Sequence, residues 1–69
     1  MEKSLTKTAT IKYREAVGMS RADLAREVKM TRQAIRLIEL GHSSPTLATA
    51  RKIAAALDVP VDELWPEER

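Results

Sequence analysis

The feature that most restricts how this chain can fold is the run from Ser20 to Gly41, SRADLAREVKMTRQAIRLIELG. Leu24, Ala25 and Val28 fall on one helical stripe, and Ile35 and Ile38, with Ala34 beside them, fall on a second. Ser20 precedes the first stripe and Thr31 the second, and each side chain can accept from the free N–H groups of a helix start. Asp23, three residues after Ser20, has the spacing of a capping box. At that spacing Thr31 is followed by Ala34, so no carboxylate neutralises the positive end of the second helix and an anion can approach it. The run predicts two short amphipathic helices joined by a tight turn. The second opens on Arg32 and Gln33 and carries Arg36 one turn later. Arg can donate two hydrogen bonds to guanine, and Gln can donate to and accept from adenine, so this helix end suits the DNA major groove.

The flanking sequence extends the helical pattern. Residues 1–9 show no helical period and are expected to be a flexible segment. A first helix is predicted from about Thr10 to Val17, with Tyr13, Ala16 and Val17 inward and Gly18 just past its end. Gly41 to Pro45 read as a loop. Thr46 can cap a fourth helix, along which Leu47, Ala50, Ile53, Ala54 and Leu57 recur at helical spacing. Asp58 and Pro60 stop it, and Val61 to Trp65 make a short fifth helix before Pro66. The expectation is an all-α chain with one domain over residues 10–66, a tail at 67–69, no strand and no internal repeat.

Composition removes several classes of function. The chain has 69 residues, no cysteine and one histidine, His42. Disulfides and thiolate metal sites are thereby excluded, and no metal or cofactor is expected. His42, Ser43 and Ser44 lack a partnered acid, so no catalytic residue is assigned. Asp62, Glu63, Glu67 and Glu68 lack the glycine-bearing spacing of a calcium loop and read as a solvated acidic end. No apolar stretch is long enough to span a membrane and no leader is evident, so a cytoplasmic chain without a membrane partner is expected. Charge is segregated. Up to residue 53 there are eleven Lys/Arg against five Asp/Glu, and beyond it one Arg against five acids. A basic body with an acidic end suits a polyanion on one side and solvent or a partner on the other.

Taken in order, these pieces resemble the Cro and lambda-repressor-like helix-turn-helix family of prokaryotic and phage transcription regulators. The resemblance spans about residues 10–66. It is carried by Arg14-x-x-x-Gly18-Met19-Ser20, Leu24-Ala25, Thr31-Arg32-Gln33-Ala34-Ile35 and Ile38-Glu39-x-Gly41. Ser44-Pro45-Thr46-Leu47, Ala50, Lys52-Ile53-Ala54, Ala56-Leu57 and Val61-Asp62-Glu63-Leu64-Trp65 continue it. It implies a compact five-helix lambda-repressor-like domain whose third helix enters the major groove of double-stranded DNA while the second crosses the backbone. By that resemblance Arg32, Gln33, Arg36 and Leu37 are base readers, and Ser20, Arg21, Lys29 and Thr31 contact phosphates. Arg14 and Glu39 match positions that form a partly buried ion pair. The implied function is a transcriptional regulator, a repressor acting as a homodimer on a two-fold operator. Val61, Leu64 and Trp65 are the expected dimer contacts. An antitoxin with a toxin partner, a restriction-system controller of the same fold, and a protein-binding adaptor that has lost DNA binding remain as alternatives.

Three positions depart from the family pattern. Lys29 stands at the turn where glycine is usual; a non-glycine residue in left-handed geometry costs about 1–2 kcal/mol. Leu40 replaces the commoner asparagine before Gly41, so no phosphate contact is assigned to it. Arg21 replaces the usual glutamine after Ser20 and is a stronger but less discriminating phosphate ligand. Two residues also have plainer roles open to them. Arg36 can pair with Glu39 at i, i+3, and Trp65 can pack on the fourth helix.

Overall fold

The computed structural model describes residues 8–66. They form α1 (Thr10–Ala16), α2 (Arg21–Glu27), α3 (Arg32–Glu39), α4 (Leu47–Leu57) and α5 (Val61–Leu64), with no strand among them. The tail expected at 67–69 and most of the segment expected at 1–9 lie outside the described residues. Of that segment, Ala9 is not free: its N–H donates to the Leu64 carbonyl at 2.8 Å and ties the start of α1 to α5.

The helices begin where the capping residues stand. Ser20, Thr31 and Thr46 have extended backbones, and their hydroxyls accept from the N–H groups of Asp23, Ala34 and Thr49 at 3.0, 3.0 and 3.2 Å. The Ser20 N–H donates in return to Asp23 Oδ2 at 3.1 Å, which completes the capping box. Each such cap contributes roughly 1 kcal/mol.

The first three helices also end alike. Gly18 donates to the Glu15 carbonyl and Met19 to that of Arg14; Lys29 donates to Arg26 and Met30 to Ala25; Gly41 donates to Ile38 and His42 to Leu37. Such paired bonds make a Schellman cap, whose middle residue takes left-handed backbone. Its φ is 72° at Gly18, 58° at Lys29 and 77° at Gly41. The left-handed turn between α2 and α3 is therefore kept despite the lysine, with the steric cost a side chain incurs there.

The core is built by Leu24, Ala25 and Val28 of the α2 segment, Ile35 and Ile38 of α3, Ala50, Ile53, Ala54 and Leu57 of α4, and Leu64 and Trp65 at the end of α5. Three sequence expectations are corrected here. In α1 the buried residues are Thr10 and Arg14, while Ala16 is exposed and Val17 is 57% exposed; the helix is rotated to bring Arg14 inward, for the reason given below. Leu47 keeps the spacing of the α4 stripe but stands at its first position, ahead of the core, and is 49% exposed. Leu64 and Trp65 are wholly covered within one chain, so neither has surface to offer a second subunit; of the expected dimer contacts only Val61 is partly exposed. Trp65 takes its packing role, and its Nε1 has no hydrogen-bond partner among the described residues.

α1 is fastened to α5 a second time, where the Tyr13 hydroxyl donates to Glu63 Oε2 at 2.7 Å. That bond, helped by desolvation and the Glu63 charge, pushes the Tyr13 hydroxyl above its ordinary pKa.

Candidate nucleic-acid interface

The caps and the tight turn set the starts of α2 and α3 side by side. Between them lies an open cleft of about 680 Å³ lined by Ser20, Arg21, Ala22, Thr31, Arg32, Gln33 and Arg36. Three of the seven are arginines and none is acidic. The first N–H groups of a helix have no partner inside it, and they give that end a partial positive charge. α3 has no acid in its first turn to offset this. α2 does, and there Asp23 is committed to the cap. Its bond from the Ser20 N–H, reinforced by the Ser20 side chain and by Arg26, holds its carboxyl below the ordinary range. Arg32, Gln33 and Arg36 are exposed, so the cleft and the outer face of α3 form one cationic, hydrogen-bonding surface.

Beneath that surface lies a buried charge cluster. The Glu39 side chain is fully buried. Its Oε2 accepts from Arg14 Nε at 2.6 Å, and its Oε1 accepts from an Arg14 terminal nitrogen at 3.3 Å and from Arg21 Nε at 3.0 Å. Arg14 also donates to the Met19 carbonyl at 3.0 Å, which anchors it against the turn after α1. One carboxylate thus joins α1, α2 and α3. A desolvated carboxylate requires such partners, and this requirement explains why α1 turns Arg14 inward. Arg36, the alternative partner by sequence, makes no bond to Glu39.

A model of the HTH_3 helix-turn-helix family matches residues 11–64. The chain belongs to the Cro/C1-type helix-turn-helix family of DNA-binding transcription regulators. It is 39% identical over 51 residues to an HTH-type transcriptional regulator of Methanothermobacter thermautotrophicus, and the match covers 74% of each chain. Among solved structures it is similar to the restriction-modification controller protein C.AhdI from Aeromonas hydrophila, with a TM-score of 0.75 and 30% identity, covering 78% of this chain and 82% of that one. It is also similar to part of the hydroxypropylphosphonic acid epoxidase from S. wedmorenis, with a TM-score of 0.78 and 29% identity, covering 93% of this chain but 35% of the epoxidase. The helix-turn-helix fold thus also occurs within a longer enzyme chain.

Of the eight residues expected to face DNA in this helix-turn-helix chain, the structure gathers Ser20, Arg21, Thr31, Arg32, Gln33 and Arg36 around one cleft. Lys29 is exposed at the turn and Leu37 is half-buried on α3, and neither lines it. Sequence reasoning overlooked Ala22, which lines the cleft beside Ser20. It also overlooked the bond from Arg21 to Glu39. Their separation of eighteen residues matches no local helical spacing, so only the packing of α2 on α3 could reveal it.

Proposed function

We propose that this chain is a sequence-specific DNA-binding regulator that inserts α3 into the major groove and represses transcription as a homodimer on a two-fold operator. The observation that carries this reading is the acid-free cleft between the starts of α2 and α3, with Arg32, Gln33 and Arg36 exposed at its edge. Arg32, Gln33 and Arg36 read bases, with Leu37 as an apolar contact. Ser20, Arg21, Lys29 and Thr31 bind phosphates. A single subunit offers few base contacts, each discriminating by about 1–3 kcal/mol. Two half-sites roughly 34 Å apart would double that reading. Among the described residues no group of three or more histidines and acids could hold a metal ion. No described helix is long and apolar enough to cross a membrane.

A narrower role as a restriction-system controller has support in the likeness to C.AhdI, most of whose length is covered.

Selection of bound duplexes from a random pool, with mass measurement by sedimentation, tests the proposal. A palindromic consensus and a dimer on DNA are expected. Gln33→Ala should relax one base pair per half-site by about 1–3 kcal/mol. No enriched sequence, or an unchanged profile for Gln33→Ala, would refute the assignment.

A further inference from the structure

Arg21 is shared between two environments. Its Nε points into the protein, 3.0 Å from Glu39 Oε1, yet the side chain remains 36% exposed and lines the cleft. A guanidinium has five N–H donors in a rigid fork, and using Nε leaves the end formed by the two terminal nitrogens. That end is the one that meets a phosphate with two parallel bonds. Among the described residues the Arg21 side chain makes no other hydrogen bond, so Glu39 is what fixes its orientation. The balance of charge points the same way. Two arginines share one carboxylate, and the Arg14 share is the tighter, with two bonds to Glu39 and one to Met19. The excess positive charge therefore sits on Arg21, the member facing the cleft.

We infer that Glu39 is a positioning residue for DNA binding: it holds Arg21 by Nε so that the terminal nitrogens stand ready for a backbone phosphate at the mouth of the cleft. This rests on the DNA-binding reading above and assigns to Glu39, which touches no DNA, a share in affinity distinct from its role in the fold. The phosphate supplies the second anion that the two arginines lack, so binding completes the cluster without rebuilding it.

A double-mutant cycle on the full chain tests this, read by fluorescence anisotropy with the selected duplex across a salt series and by thermal melts of each variant. Arg21→Ala should weaken binding about tenfold, the weight of a charge-assisted hydrogen bond, and lower the salt slope by about 0.9 per subunit. Glu39→Gln should bring a similar loss in the wild-type background and less than about a twofold loss in the Arg21→Ala background, the mark of two residues acting as one unit. Equal losses in both backgrounds would overturn the inference, since Glu39 would then act through the fold alone. Arg21→Lys keeps the readout open if Glu39→Gln does not fold. Lysine gathers its donors on one nitrogen, so when held at Glu39 it cannot also offer the phosphate two parallel bonds, and Arg21→Lys should melt near the wild type yet bind more weakly. Wild-type affinity in Arg21→Lys would overturn the positioning role and leave the DNA-binding reading standing. A wild type that binds no duplex at low salt would end both.

Discussion

Glu39→Ala removes the one carboxylate that two arginines share. The bonds lost are those from Arg14 at 2.6 and 3.3 Å and from Arg21 at 3.0 Å. The Arg14 side chain is 10% exposed, so its charge is left nearly dry. Breaking a buried pair by removing one partner costs about 3–5 kcal/mol. Arg21, at 36% exposure, is largely rescued by water and adds less than about 1 kcal/mol. The lower end, about 3 kcal/mol, is therefore expected. A 69-residue domain is held by roughly 0.05–0.15 kcal/mol per residue, so this one change removes about three-tenths or more of its stability. For a domain of this size each kcal/mol moves Tm by about 4–8 °C, which gives a fall of about 12–24 °C in a thermal melt followed by circular dichroism. A fall under about 4 °C would refute the reasoning, because Glu39 would then be exchanging protein partners for water at little loss. Arg14→Met combined with Glu39→Leu separates charge from packing. It leaves no dry, unpaired ion, only the part-exposed Arg21 that water can solvate, and should recover most of the loss.

Three further outcomes are expected. Lys29→Gly relieves left-handed strain of about 1–2 kcal/mol against a smaller entropic loss, so Tm should rise while DNA affinity falls; a lower Tm would show that the lysine is unstrained. Trp65→Phe deletes an indole N–H that is buried without a described partner, and the relief of about 1–3 kcal/mol should offset much of the packing loss. Urea unfolding that shows a loss above about 3 kcal/mol, the range of large core truncations, would mean that this N–H is satisfied. The Asp23 carboxyl is held below its ordinary range, so the capping box contributes fully above the unfolded carboxylate pKa and is lost only as pH falls through the lower folded value. Asp23→Asn should remove that acid dependence from the melting profile, and an unchanged dependence would place its origin elsewhere.

Much of this was legible in the chain because the signals are local. Ser20, Thr31 and Thr46 cap by bonds that reach three residues forward, so order along the chain is enough to find them. The stripes of α2 and α3 were equally plain, since each needs only its own period. What failed was the part set by tertiary packing. The apolar residues Ala16 and Val17 suggested the inner face of α1, but the buried carboxylate of Glu39 required Arg14 there instead. Leu64 and Trp65, expected as dimer contacts, instead lie wholly buried in the core with the residues of α4. Arg21 was read as a surface ligand because nothing near it in sequence announces its partner. For the cleft, the residue types could be named in advance; their convergence depends on a turn whose left-handed residue is an unexpected lysine.

The bond from Ala9 to Leu64, 2.8 Å long, brings the first turn of α1 and the last residue of α5 to the same place. No residue of either helix lines the cleft. The two exits from the fold are therefore adjacent, and both lie on elements that take no part in the cleft wall. Adjacent ends allow a domain to be fused, inserted or closed head to tail through a short linker without opening its core. A form closed between these two points would present the same arginines and glutamine unaltered.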